Sequence, residues 1–152
     1  MNYGGGARHL LRFSTGSEST LRWLAQYPRE VSAVTGACML ATRTCFSALS
    51  GFDEQLPLVG NDTDFCLRAW QKEIPVVLEP RARLIHHEGI SRTGMPETED
   101  VELFWERWGK LLESGDFFTN PNLDARRDDW TVNPSIDKAF GIRSRVLGRG
   151  TP

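Results

Sequence analysis

Carboxylates gathered at the start of a helix, and imidazoles at the end of a strand, are the features of this chain that could do chemistry. Asn61-Asp62-Thr63-Asp64 places two acids directly before a stretch with helical spacing. Asp62 could project into a cleft beside the helix start and act as a base toward a hydroxyl. A carboxylate suits that task when the proton leaves as the new bond forms, so that no free alkoxide has to exist. The plainer reading is that Asn and Asp cap helices and that first-turn acids complement the helix dipole, which requires no function. The string also matches Asp-x-Asp, a motif for metal-bound nucleotide diphosphates. Such a motif normally ends an apolar strand, whereas Leu56-Pro57-Leu58-Val59-Gly60 is short and loop-like.

His86-His87-Glu88 is the second constellation. It lacks the H-E-x-x-H spacing of a zinc hydrolase, and a histidine at a strand end is commonly structural. Beside carboxylates, a neutral imidazole can also complete the shell of Mg²⁺ or Mn²⁺ carried in by a diphosphate. Neighbouring strand residues face opposite sides, so only one of the pair could look into a cleft. Thr35-Gly36-Ala37 and Gly51-Phe52-Asp53-Glu54 form the third. These read first as backbone geometry, a bend and a turn. The functional alternative is an acceptor pocket, in which small residues let a sugar approach the backbone and acids bind its hydroxyls.

The elements that must position these residues follow from pattern. Val31 to Ala41 is apolar and partly β-branched, broken by Gly36, and reads as a buried strand with a bend. Thr42 is placed to cap a short helix running through Phe46 and Leu49, with Gly51 ending it in a left-handed conformation. A second helix is expected from an Asn61 cap, with Phe65, Cys66, Ala69 and Trp70 on one face and Arg68, Gln71 and Lys72 outward. PVVLE and ARLIHH read as short strands split by Pro80-Arg81. A third helix over 97–113 carries Val101, Phe104, Trp105, Trp108, Leu111 and Leu112 on one stripe, which makes its tryptophans core more readily than a sugar-stacking platform. Residues 1–30 read as a linker-like lead-in and 124–152 as a polar, mobile tail.

Composition bounds the class. A chain of 152 residues fits one domain, and its net charge of −2 argues against general affinity for nucleic acid or anionic membranes. No apolar run approaches the roughly 20 residues that span a bilayer. Cys38, Cys45 and Cys66 lie in apolar segments without C-x-x-C spacing and suit buried, reduced thiols of a cytoplasmic protein, working free or at the inner face of the membrane.

Taken in order, these motifs resemble the acceptor-side half of inverting family 2 glycosyltransferases, rhamnosyltransferase-like members above all. The resemblance runs through Val34 to Cys38 (VTGAC), Gly51 to Glu54 (GFDE), Asn61 to Arg68 (N-D-x-D-x-x-x-R) and Ala82 to Arg92, then through the aromatic helix to the Asn-Pro-Asn-Leu segment ending at Leu123. It implies an α/β architecture, a partial GT-A fold with a small mixed sheet and flanking helices over 31–123. It further implies sugar transfer, with inversion, from a nucleotide-sugar donor to a glycan or lipid-linked acceptor in cell-surface polysaccharide synthesis. By the same resemblance Asp62 matches the catalytic base and His86 the contact to a divalent metal, Mg²⁺ or Mn²⁺. Thr35, Gly36, Gly51, Phe52, Asp53, Glu54, Asp64 and Arg68 fall on the acceptor side. The family's nucleotide-binding region has no counterpart before Val31, so the segment is expected to need a complementing amino-terminal half. The alternative is a non-catalytic remnant or a glycan-binding or assembly module.

Overall fold

The computed structural model describes residues 26–85, 98–113, 116, 118, 120, 122–124 and 133–136. In chain order its elements are β1 (Arg29–Glu30), a 3₁₀ turn (Gly36–Cys38), α1 (Arg43–Ala48), α2 (Asn61–Gln71), β2 (Val77–Leu78) and α3 (Thr98–Leu112). β1 pairs antiparallel with β2, Arg29 opposite Leu78 and Glu30 opposite Val77, and Val31 N extends the contact to the Val76 carbonyl at 2.9 Å. Among the described residues the sheet is therefore a two-stranded antiparallel ribbon, where the sequence suggested a small mixed sheet.

The strand expected from Val31 to Ala41 is not formed. Its backbone donors go elsewhere: the Gly36 amide to the Asp62 carboxylate at 2.8 Å, and the Cys38 amide to the Thr35 carbonyl at 3.3 Å. The Thr35 hydroxyl accepts from Ala37 N, closing the 3₁₀ turn at Gly36. Beyond β2, residues 81–85 are exposed and irregular, so the second strand of the pair is absent as far as Ile85. His86, His87 and the rest of that motif lie outside the described residues, as do most of the lead-in and the tail.

The helices follow the pattern more closely. Thr42 caps α1, its hydroxyl accepting from Cys45 N at 3.1 Å, and Gly51 takes φ +72° just past the helix end. α2 starts as expected, but its cap is Gly60 in the left-handed region; Asn61 is already helical, its side chain accepting from Asp62 N. Gly60 is fixed by space as well as by φ, since a Cβ there would lie 2.7 Å from the Phe104 ring.

α2 is the central element, buried at Thr63, Asp64, Phe65, Cys66, Leu67 and Ala69. On one side Leu67 joins Leu56, Phe104, Trp108 and Leu112, which seats α3. On the other, Phe65 and Ala69 pack with Leu49, Met39, Ile74 and Val76, which seats α1 and the approach to β2. The expected outward face is only partly right: Arg68 is half-buried, and Trp70 is 38% exposed. Asp100 on α3 accepts from the Leu58 and Val59 amides, both at 2.9 Å, and so ties the loop before α2 to α3. Of the cysteines only Cys66 is buried, and burial pushes its thiol up to about 11; Cys45 is intermediate and Cys38 exposed, so uniform burial does not hold. No described helix is long and apolar enough to cross a membrane.

Candidate functional site

Asp62 lies in the first turn of α2, where its carboxylate reaches back to the 3₁₀ turn. One oxygen accepts from Gly36 N at 2.8 Å, and the other from Thr63 N at 2.7 Å and the Thr63 hydroxyl at 3.3 Å. A carboxylate offers about four acceptor positions, so about one stays open for a hydroxyl from outside. The approach of Gly36 is close: a Cβ on it would meet Asp62 Cβ at 3.3 Å and Oδ2 at 3.6 Å. Two segments 26 positions apart, each singled out in the sequence, thus meet through a hydrogen bond.

Gly36 also lines an open groove of about 380 Å³ with Met39, Ala41, Arg43, Phe46, Phe52 and Phe65. The three phenylalanines form a connected cluster, with ring centroids 5.1–5.8 Å apart. Phe46 and Phe52 remain 41% and 42% exposed, enough for a ligand to cover. The groove brings together Gly36 and Phe52 from the expected acceptor set, with Asp62 at the Gly36 rim. Thr35 sits one residue behind, its hydroxyl occupied in closing the turn.

The other acidic and basic candidates stand behind the groove. Asp64 is fully buried and accepts from Arg68 Nε at 2.7 Å, Arg107 Nη1 at 2.8 Å and Trp108 Nε1 at 2.9 Å. With no exposed oxygen it cannot touch an acceptor, and the same burial disposes of a nucleotide-diphosphate role for Asp62-Thr63-Asp64. Arg68 spans from Asp64 to the carbonyls of Leu49 and Gly51, holding the end of α1, and lies 5.6 Å from the Phe65 ring. Its fork is consumed by scaffold, so it too moves from ligand contact to positioning. Asp53 pairs with Arg107 Nη1 at 2.7 Å. The Gln55 amide and then the Arg107 guanidinium hold its carboxyl below the usual range, while Asp64 and then Asp53 raise Arg107. Gly51 is buried beneath this network, and Glu54 is exposed on the turn.

Sequence reasoning missed Arg107, Arg43 and the aromatic floor. Arg107 sits beside Trp108 on the apolar stripe of α3, and a cation at the edge of a core stripe was the available signal. Phe46 and Phe65 were read only as helix core. Trp108 behaves as expected, 3% exposed with its ring in the core and its N–H on Asp64, whereas Trp105 is only partly buried against that core. Among the described residues no three His, Cys, Asp or Glu side chains converge to hold a metal ion. The His86 contact lies outside those residues, so the described part of the site does not by itself fit Mg²⁺ or Mn²⁺.

The chain is 31% identical over 147 residues to the O-antigen biosynthesis protein RfbC of Myxococcus xanthus, an alignment that covers 93% of this chain and 11% of RfbC. It is 34% identical over 110 residues to the uncharacterized protein y4gI of Sinorhizobium fredii, covering 67% of this chain and 12% of y4gI. It therefore spans roughly a tenth of the length of the curated relatives it matches. No protein-family model matches, and no solved structure matches.

Proposed function

We propose that this chain is the acceptor-side part of an inverting glycosyltransferase of the family 2, GT-A type, acting in cell-surface polysaccharide synthesis. The observation that carries the reading is the Asp62 carboxylate, held by the Gly36 amide at the rim of an aromatic groove. A likeness to an O-antigen biosynthesis protein along 93% of the chain supports the setting.

In this reading the acceptor sugar lies in the groove with one hydroxyl at the open position on Asp62. As that oxygen attacks the anomeric carbon of a nucleotide-sugar, its proton passes to Asp62, and the nucleoside diphosphate leaves from the opposite face. Attack opposite the leaving group inverts the anomeric centre. Gly36 N–H and Thr63 fix the rotamer of the base, so the proton acceptor waits in place. The Phe52 turn and the end of α1 form the wall, held from behind by Arg68 and Arg107. A divalent metal, with His86 as the contact implied by family resemblance, would neutralise the diphosphate.

Asp62→Asn tests the reading in the polypeptide that carries this chain. It keeps the side-chain shape and removes the basicity, so transfer should fall about 10²–10⁴-fold with the fold intact. Gly36→Ala forces Asp62 to shift by a few tenths of an ångström and should lower transfer about 3–30-fold, mainly in kcat. Asp62→Asn activity within about threefold of the parent would refute the assignment. Saturable glycan binding with no transfer from any nucleotide-sugar would mark a binding module instead.

A further inference from the structure

We propose that the groove beside Asp62 takes a sugar bearing a carboxylate, a uronic acid in chemical class, with that carboxylate seated on Arg43. This rests on the groove being the acceptor site.

The described residues hold arginines at 29, 43, 68, 81, 83 and 107, and all but one are engaged. Arg68 and Arg107 serve the Asp64 network, Arg81 pairs with Glu79, Arg83 bonds the Pro80 carbonyl, and Arg29 has its own partner. Arg43 has none, and it is the one charged side chain lining the groove. The rest of the lining is Gly36, Met39, Ala41 and the three phenylalanines, which offer no polar side chain to a sugar. A pyranose can lay its C–H face on Phe46 and Phe52, but among the lining side chains only Arg43 can fix its orientation. Sites of this kind commonly pair an apolar floor with a few placed polar groups.

A guanidinium is charged at every working pH, and its planar fork matches a carboxylate through two parallel hydrogen bonds. Charge balance separates carboxylate from phosphate. Asp62 brings a negative charge to the Gly36 rim of the same groove, and Arg43 is the single cation among the lining residues. Arg43 and Asp62 offset one another, so a uronate leaves the groove at about −1. A phosphate monoester leaves it at about −1.5 to −2, a heavier load of like charge beside a base that must itself stay ionised.

The test titrates the 152-residue chain with methyl glucuronide, methyl glucoside and glucose 1-phosphate, following backbone NMR shifts of residues 36–52. The glucuronide should bind about three- to tenfold more tightly than the glucoside, a preference that shrinks with added salt. Arg43→Gln should abolish the preference and Arg43→Lys keep part of it; Arg43 is exposed and unpartnered, so neither should disturb the fold. Phe52→Ala should weaken both sugars alike. Equal binding of glucuronide and glucoside, or a preference that survives Arg43→Gln, overturns the carboxylate assignment and leaves the acceptor reading intact. Tightest binding by glucose 1-phosphate overturns uronate in favour of phosphate. No saturable shift with any probe overturns the proposal, and the Asp62→Asn assay then judges the acceptor reading by itself.

Discussion

Replacing Asp64 with alanine tests its reassignment from ligand contact to scaffold. The carboxylate is fully buried and receives one donor each from Arg68, Arg107 and Trp108. Alanine removes the acceptor and leaves the donors. The Trp108 N–H loses its partner inside the core, which costs about 1–3 kcal/mol. The guanidiniums are not orphaned: Arg68 keeps the Leu49 and Gly51 carbonyls, and Arg107 keeps Asp53. Their side chains are 22% and 28% exposed, so water recovers part of each lost bond and the residual cost is about 1 kcal/mol apiece. The total, about 3–5 kcal/mol, equals the usual cost of breaking a buried ion pair and is a large share of a domain's 5–15 kcal/mol. Asp64→Asn keeps an oxygen for Trp108 but turns an amide toward an arginine, and should cost about 2–3 kcal/mol. In a Trp108→Phe background the N–H is gone, so the Asp64→Ala cost should shrink by about 1–2 kcal/mol. Urea denaturation followed by far-UV circular dichroism reads all of these. A cost for Asp64→Ala below about 1 kcal/mol would refute the scaffold reasoning.

The remaining predictions concern the frame around the site. Gly60→Ala combines φ +77° with a Cβ 2.7 Å from Phe104, a ring only 3% exposed, and should cost about 2–4 kcal/mol by the same denaturation; a cost under about 0.5 kcal/mol would mean the turn relaxes freely. Asp53 has a folded pKa below its ordinary 3.8, so its bonds stabilise the fold above that value and are lost as pH falls through the lower, folded one. Between pH 5 and 2.5 the parent should therefore lose about 0.5–1 kcal/mol that Asp53→Asn does not; parallel stability curves would discard the bridge.

α2 and α3 were legible because each carries an unbroken helical stripe, and the α1 cap was legible because Thr42 stands directly before it. The strand expected at Val31 to Ala41 was not. β-branched, apolar composition says that a segment is buried or extended, but pairing depends on a neighbour, and here the Gly36 amide answers to Asp62. The first turn of α2 shows the same limit. Asp62 and Asp64 are two residues apart with the same side chain, and nothing local says which is half-exposed at a groove and which is sealed against Arg107. That difference comes from α3, 43 positions away. Arg43 was invisible for the opposite reason: an exposed arginine looks ordinary until its neighbours are known to be three phenylalanines.

The unbroken burial of Thr63 through Leu67 has a consequence for how such a protein can diverge. Five successive residues at 100° each sweep the whole circumference of a helix, so this part of α2 has no free face on which substitutions can accumulate. The base is anchored to a stretch whose side chains are all packed. The groove shares Phe65 with that stretch, but Arg43 on α1 and Phe52 on its turn are exposed, and a change of side chain there disturbs less packing. Descendants of this sequence can therefore change what they recognise by drifting at residues such as Arg43 and Phe52, while the residue proposed to do the chemistry is kept in place by neighbours that have nowhere to go.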